Sequence, residues 1–351
     1  MRIAVGSYTD GTEVVEGTDS TGVGTALFDP DTGALAPLHA VPDTEQNSWV
    51  EPSLDGARLY ANGELHDVPG QVIDFALDPD AKPTLINRRD AEGKDPCHIA
   101  TLGDRLFCAN YNSGSTSVFN LSDTGIGEPI AVHQYEGSGP NKGRQRGPHA
   151  HQTLISPDDR WLYVCDLGSD RVHVHDLADR AAPLVHSVPI DAGAGPRHMA
   201  FHTTQPIAYV WCELRPLVIE FDWDAATGEL VNPRAHDLDA DFGMTGANAG
   251  AAVWVHPSGD VVAVSERAQG TIALLSLTDG HVDGRTLRLE TGIKTPRDFR
   301  FSPQGDWLLI ACQDTHRIAS HRLADPMSPE PQPASTIPWR KPVCIPFLVE
   351  P

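Results

Sequence analysis

A single sequence phrase recurs along this chain at a spacing of about fifty residues. Each copy contains a short turn of the Ser/Asp-Pro-Asp-Gly type, an apolar strand, a polar residue and a second apolar strand. A long repeat built from strands and turns, with no helical pattern, is typical of a β-propeller, in which each repeat forms one blade. The copies begin at Ser53, Leu102, Ser156, Thr203, His256 and Ser302.

The two ends of the chain supply one further blade. Residues 2–9 and 25–41 have strand character, with a DPDTG turn in the second segment, and residues 341–349 contain another strand. Pairing of the first and last strands would close the ring and leave no exposed sheet edge. We therefore predict an all-β, seven-bladed β-propeller that forms a single domain over residues 1–351, with the last blade closed by the N- and C-terminal strands.

Composition excludes several classes of partner. The 351 residues include 48 acidic and 26 basic side chains, a formal net charge of −22, which opposes binding to nucleic acid or to an anionic membrane. No apolar run approaches 18 residues, so we expect no membrane span. The six cysteines form no CxxC pair and the N-terminus has no signal-peptide pattern, which favours a cytoplasmic protein. Composition does not determine the oligomeric state.

Two glycine-rich insertions separate blades. They cover residues 136–150 and 237–250 and carry little apolar pattern. Loops of this kind on a rigid scaffold often form the binding surface, although plain connections between blades would have the same composition.

Polar residues stand where the innermost strand of several blades should begin. Strands in register would point these side chains into one mouth of the central channel. Histidine there could act as a general acid or base, and arginine could hold a carboxylate or phosphate. Hydrogen bonds between neighbouring blades would explain single histidines equally well. The candidates are His98, His149, His151, Arg197, His198 and Arg297.

A second ring of polar residues follows the next strand of each blade. Glu213 interrupts an apolar strand, and a carboxylate near arginines stays ionised and could serve as a base. Arg267 occupies the corresponding place one blade later. A structural salt bridge between blades is the alternative for each pair. The ring comprises Glu64, Tyr111, Asn112, Asp166, Glu213, Glu266, Arg267, Gln313 and Asp314.

The sequence contains no familiar cofactor or hydrolase motif. It lacks a Walker loop, a GxGxxG turn after a strand, an HExxH helix and a GxSxG elbow. His149 and His151 could hold a metal on one strand face, but their spacing reveals no third ligand. We therefore expect neither a cofactor nor a metal.

Several segments together resemble the bacterial 6-phosphogluconolactonase family of seven-bladed propeller lactonases. They are GPHAHQTLISPDDRWLYVCDLGSDRV, GPRHMAFH, TPRDFRFSPQGDWLLIACQDT, GSYTDG and KPVCIPF, and the resemblance spans nearly the whole chain. It implies a cofactor-free lactone hydrolase or cyclase, since the same superfamily contains fungal carboxy-muconate lactonizing enzymes.

The resemblance also implies a set of site residues. The family's proposed site matches His151 (or His149), Arg197, Glu213 and Arg267. The asparagine that precedes this last arginine in the family is replaced by Glu266, and a carboxylate there is expected to weaken the grip of Arg267 on an anion.

Three functions follow from these observations. The first is hydrolysis of a small anionic lactone, 6-phosphogluconolactone above all. His151 or Glu213 would activate water, and Arg197, Arg267 and Arg297 would bind the anionic part and the developing oxyanion. His98, His149 and His198 would contact substrate. The second is a muconate-type cycloisomerase that uses the same residues. The third is a non-catalytic propeller that binds proteins, which predicts an aromatic face that 7% aromatic residues hardly provide.

Overall fold

Seven four-stranded antiparallel sheets are arranged as the blades of a propeller in the computed structural model. It describes residues 1–9, 22–65, 68–239, 249–290, 292 and 294–349. The predicted all-β, seven-bladed fold is confirmed. Most of the second insertion, residues 240–248, lies outside the described residues.

Each blade runs outward from the channel, and six of them use four strands that are consecutive in sequence. A 3₁₀ turn at Gln313–Thr315 follows one of the strands. The strands are β1 (Arg2–Ser7), β2 (Val23–Phe28), β3 (Leu35–Val41), β4 (Val50–Pro52), β5 (Arg58–Gly63), β6 (Gln71–Leu77), β7 (Pro83–Asp90), β8 (Pro96–Leu102), β9 (Arg105–Asn110), β10 (Ser115–Ser122), β11 (Gly125–Gln134), β12 (Ala150–Ile155), β13 (Trp161–Asp166), β14 (Arg171–Asp176), β15 (Leu184–Pro189), β16 (Pro196–Phe201), β17 (Ile207–Cys212), β18 (Leu217–Trp223), β19 (Leu230–Asp237), β20 (Gly250–Val255), β21 (Val261–Glu266), β22 (Thr271–Thr278), β23 (His281–Glu290), β24 (Pro296–Phe301), β25 (Trp307–Cys312), β26 (Arg317–Arg322), β27 (Ser335–Pro338) and β28 (Pro342–Cys344).

The blade that closes the ring contains both ends of the chain. Its strand order is β28-β1-β2-β3, so the short C-terminal strand lies innermost and the N-terminal strand is second. Gly6 pairs with Cys344, and an isolated bridge joins Ile3 to Phe347. The predicted closure by N- and C-terminal strands is therefore confirmed.

The hydrophobic core lies between neighbouring blades. Between the blades β12–β15 and β16–β19, Tyr163, Val174, Val210, Ile219 and Phe221 pack together and are almost fully buried. Both faces of each sheet are covered in this way, because alternate side chains of a strand point to opposite faces. Burial of each such side chain stabilises the fold by roughly 1.5–3 kcal/mol. All six cysteines are buried free thiols, as expected for small core residues.

Tryptophan side chains connect each of two blades to the outer turn of the next. Trp307 Nε1 donates to Pro30 O at 2.8 Å, and Trp161 Nε1 donates to Ala225 O at 2.9 Å. The turn glycine beneath Trp307 is Gly33, which has φ of +74°. A Cβ atom at Gly33 would overlap the indole ring of Trp307. Glycine is required here by backbone conformation and by packing together.

No helix among the described residues is long and apolar enough to cross a membrane.

Replacement of Gly33 by alanine should weaken the ring where it closes. Strain from positive φ and overlap with Trp307 together should lower the free energy of unfolding by about 2–4 kcal/mol, measured by urea denaturation. Gly103→Ala is the matched control, because Gly103 has φ of +57° and a Cβ atom added there would meet no other atom within 4 Å. The free energy of unfolding of Gly103→Ala should fall by only about 1–2 kcal/mol, the cost of the positive φ alone. Equal losses in both variants would contradict the packing argument.

Candidate active site

A cavity of about 440 Å³ occupies one mouth of the central channel. It lies where the innermost strands begin and the second strands end, so every blade contributes at least one side chain. The lining residues are Tyr8, Gln46, Glu64, Cys97, Tyr111, Arg144, His151, Glu213, Arg267, Arg297, Gln313 and Lys341.

Bulges at the start of the innermost strands turn polar side chains toward the channel mouth. In β12, Ala150 pairs with Asp166 and Gln152 pairs with Cys165, which leaves His151 without a cross-strand partner. A bulge of this kind redirects one side chain out of the regular alternation. The residues in this position are Cys97, His151, Arg197 and Arg297.

The second ring of cavity residues lies one position beyond the second strand of a blade. At this point the chain leaves the sheet, and the side chain lies over the channel mouth. The cavity residues in this position are Tyr8, Glu64, Tyr111, Glu213, Arg267 and Gln313.

Glu213 is the electrostatic centre of the cavity. Its Oε1 lies 2.5 Å from Arg144 Nη2, and its Oε2 lies 3.0 Å from Arg197 Nε and 3.1 Å from Arg267 Nη2. Burial alone would raise the pKa of Glu213, but the charges of Arg267 and Arg197 outweigh it and hold the pKa well below its usual range. Glu213 therefore stays ionised and is a weak base.

Two of these arginines are also fixed to the backbone. Arg197 Nη1 donates to Ala251 O at 2.7 Å. Arg267 donates from Nε to Ala249 O at 3.1 Å and from Nη2 to Gly250 O at 3.3 Å. The Arg197 side chain is only 3% exposed and is not part of the cavity lining. It therefore supports Glu213 from behind.

A second polar cluster lies at the blade that closes the ring. Tyr8 donates from its hydroxyl to Glu64 Oε2 at 2.9 Å and accepts from Arg297 Nη2 at 2.7 Å. Burial raises the pKa of Glu64, and the charge of Arg297 opposes this shift only in part. The two carboxylates of the cavity therefore differ in basicity, and Glu64 is the stronger base.

His151 lies in the cavity wall beside Tyr111, with the ring centres 5.4 Å apart. Its Nδ1 is 4.0 Å from Cys97 Sγ. Burial, aided by the charge of Arg197, lowers the pKa of His151 well below its usual value. The imidazole is therefore neutral at physiological pH and able to accept a proton.

His98 and His198 lie beneath the cavity. His98 stacks on Trp49 with ring centres 3.8 Å apart, and His198 packs edge-on against both His98 and His151 at 5.5 and 5.4 Å. Neither residue is part of the cavity lining. The ring cluster forms a floor that supports His151 from the channel side.

His149 lies beside the cavity and contacts its wall. Its ring stacks on Tyr111 with centres 4.4 Å apart, and its Nδ1 is 3.0 Å from Tyr111 O. The cavity lining includes His151 and not His149. Within the described part of the chain, no group of three or more His, Cys, Asp or Glu side chains could hold a metal ion.

Two of the cavity residues that the sequence patterns do not single out, Arg144 and Tyr8, contact the carboxylates of Glu213 and Glu64. Arg144 lies in the glycine-rich insertion, which the sequence indicates only as a candidate binding loop. Tyr8 lies in the GSYTDG segment, just beyond β1. Arg144 has no repeat-equivalent residue in the other blades, so the repeat carries no signal for it. Tyr8 lies one position beyond the second strand of its blade and is equivalent to Glu64 and Glu213, but the repeat is hard to recognise there because this blade is divided between the two chain ends. Glu64 belongs to the second ring, but its position in the repeat indicates no particular role.

Comparison with known proteins establishes the family. Residues 2–347 match the family model described as a lactonase with a seven-bladed β-propeller. The chain belongs to this family. A curated 6-phosphogluconolactonase of Bacillus subtilis is 28% identical over 349 residues, which cover 98% of this chain and 97% of the relative.

Further relatives agree with this assignment. A 6-phosphogluconolactonase of Pectobacterium carotovorum is 31% identical over 302 residues, 76% of this chain and 86% of the relative. The solved structure of a periplasmic gluconolactonase of Pseudomonas aeruginosa superimposes with a TM-score of 0.89 at 25% identity and covers 100% of this chain and 99% of that one. The resemblance identified from the sequence motifs is confirmed, and membership of an enzyme family favours catalysis over a protein-binding propeller.

Glu266, which departs from the family pattern, does not disturb its neighbour Arg267. Its carboxylate accepts backbone N–H groups of Ala249 and Ala268 at 3.0 Å and of Gln269 at 2.6 Å. Arg267 pairs with Glu213 instead. The expected weakening of Arg267 therefore has no basis in the geometry of this lactonase family member.

Replacement of Glu213 by glutamine should destabilise the protein. It leaves the buried guanidinium groups of Arg197 and Arg267 without their counter-charge, at a cost of about 3 kcal/mol. The loss should be measured by urea denaturation at pH 7. Glu229→Gln, at an exposed glutamate, is the control and should change stability by less than about 0.5 kcal/mol.

The difference in the free energy of unfolding between wild type and Glu213→Gln should depend on pH in a defined direction. Because the folded-state pKa of Glu213 is depressed, its contribution is present above the usual glutamate pKa of about 4.3 and is lost as the pH falls below it. The gap between wild type and Glu213→Gln should therefore narrow on acidification. A gap that widens below pH 4 would contradict this assignment.

Proposed function

We propose that this protein hydrolyses a sugar-acid lactone, 6-phosphogluconolactone, to 6-phosphogluconate. The observation that carries the proposal is the imidazole of His151 in the lining of a cavity whose walls are cationic. Its lining contains Arg144, Arg267, Arg297 and Lys341 but only two carboxylates.

The charge of the cavity supports an anionic substrate. The whole chain carries a net charge of −22, so a locally positive cavity concentrates anions that the remaining surface repels. The surplus of guanidinium groups around Glu213 is a ready site for a phosphate or carboxylate.

Each residue has a separate role in the proposed reaction. His151 accepts a proton from water as the water oxygen attacks the lactone carbonyl carbon. The carbonyl oxygen becomes an oxyanion, and Arg297 stabilises it. The side-chain hydrogen bond described for Arg297, to Tyr8, uses only one Nη2–H group, so other N–H groups can donate to the oxyanion. The ring C–O bond then breaks, and His151 returns the proton to the leaving ring oxygen. The products are the open hydroxyl and the carboxylic acid, which ionises to the carboxylate and releases its proton to solvent. Glu213 holds the arginines in place.

Two further assignments belong to the same proposal. The buried free thiols fit a reducing cytoplasm, although one structural relative is named as periplasmic. Cell fractionation tests this location. Incubation with 3-carboxymuconate separates the proposed hydrolase from a cycloisomerase, because only a cycloisomerase would consume that tricarboxylate.

Removal of His151 should abolish most of the catalysis. Loss of a general base lowers kcat by roughly 10²–10⁴-fold, measured on freshly prepared 6-phosphogluconolactone in an assay coupled to 6-phosphogluconate dehydrogenase and corrected for spontaneous opening. His39→Ala, on the outer strand β3, is the matched control and should retain wild-type activity. Full activity in His151→Ala would overturn the proposed role.

The pH profile gives an independent test of His151. Because burial and Arg197 lower its pKa well below 6.5, the imidazole stays neutral and active as the pH falls through 6.5. The enzymatic kcat/KM should therefore remain level from pH 8 to 6, and its acidic limb should lie below that of an ordinary histidine. A limb centred at 6.5 or above would contradict the assignment.

A further inference from the structure

The glycine-rich loop before β12 is firmly attached to the propeller. Gln145 is completely buried. Its Nε2 donates to Leu167 O at 2.9 Å and to Asp170 Oδ1 at 2.7 Å, and its backbone N–H donates to Asn141 O at 2.7 Å. These bonds fix the backbone next to Arg144, so the guanidinium of Arg144 is held over the cavity.

Arg144 differs from the other two arginines that contact Glu213. Its described side-chain hydrogen bonds go to Glu213 Oε1 at 2.5 Å and to the Tyr111 hydroxyl at 3.1 Å. Arg197 and Arg267 also donate to backbone carbonyls, whereas neither of the side-chain hydrogen bonds described for Arg144 goes to the backbone. Its side chain is 42% exposed, compared with 3% for Arg197 and 17% for Arg267. Arg144 can thus bind an external anion without losing a backbone bond.

Glu213 does not need the third guanidinium. Arg197 and Arg267 already contact its Oε2 and outweigh its single negative charge. Arg144 adds a further positive charge at the open side of the cavity, and the surplus favours a dianionic group there. Phosphate matches this geometry, because the arginine fork donates two parallel hydrogen bonds to phosphate oxygens.

We propose that Arg144 recognises the phosphate group of the substrate and so determines the preference for phosphorylated over unphosphorylated sugar-acid lactones. The inference rests on the proposed lactone hydrolysis. His151 is 6% exposed and lies deep in the wall, whereas Arg144 lies at the rim. The phosphate and the lactone carbonyl are separated by several bonds in 6-phosphogluconolactone, so one molecule can place them at these two positions.

The test compares kcat/KM for 6-phosphogluconolactone and for unphosphorylated gluconolactone. Arg144→Ala should reduce the ratio of the two values by roughly 10- to 100-fold, the range for loss of a charge-assisted hydrogen bond. Arg144→Lys should give an intermediate ratio, because it keeps the charge and loses the fork. Arg146→Ala is the matched control, since Arg146 is exposed on the same loop and donates only to Lys142 O in the described structure. It should keep the wild-type ratio.

An equal loss for both lactones in Arg144→Ala would overturn the proposal, because Arg144 would then act only through Glu213. A second readout does not depend on turnover. Inorganic phosphate should bind wild type and Arg146→Ala in a ³¹P NMR titration, and binding should weaken at least tenfold in Arg144→Ala; equal binding in all three proteins would also overturn it. If wild type hydrolyses neither lactone, the proposed function fails, and the phosphate titration still decides the role of Arg144.

Discussion

The antiparallel pairing of β1 with β28 is the constraint on which the propeller depends. Each blade buries both sheet faces against its neighbours, so an open ring would expose two apolar faces and a sheet edge. Gly6 and Cys344 pair across the closing blade, and Trp307 packs over Gly33 beside it. The same closure completes the cavity, because Tyr8 follows β1 and Lys341 precedes β28. Fold stability and the site therefore share one junction.

Inside the cavity, one carboxylate, that of Glu213, holds three arginine side chains in place through ion pairs. Glu213 offsets the mutual repulsion of Arg197 and Arg267, which could not otherwise be buried so close together, and it also pairs with the more exposed Arg144. It remains ionised because those cations outweigh the effect of its burial. In the cluster with Tyr8, the charge of Arg297 only partly opposes the effect of burial on Glu64. Burial and the charge of Arg197 keep His151 neutral, and the surplus of cations gives the channel mouth of an acidic protein a local positive charge.

Much of the site could be predicted from the repeat. Residues at equivalent blade positions must meet at the channel mouth, so His151, Glu213, Arg267 and Arg297 all belong to the cavity lining. The repeat could not separate adjacent residues, because a bulge decides which neighbour turns inward. It therefore did not distinguish Cys97, which lines the cavity, from His98, which lies below it. The repeat could not indicate Arg144, since an insertion has no counterpart in other blades.

The seven-bladed ring, its closure by the chain ends and the lactonase family all follow from the amino-acid sequence, because turn chemistry, strand period and motif spacing are local properties of the chain. What each polar side chain contacts follows only from the folded arrangement of the blades. That arrangement places Arg197 behind Glu213, turns Glu266 to backbone N–H groups and brings Arg144 over the cavity. These outcomes depend on bulges, burial and the charges of residues distant in sequence, which take effect only when the blades meet around the channel.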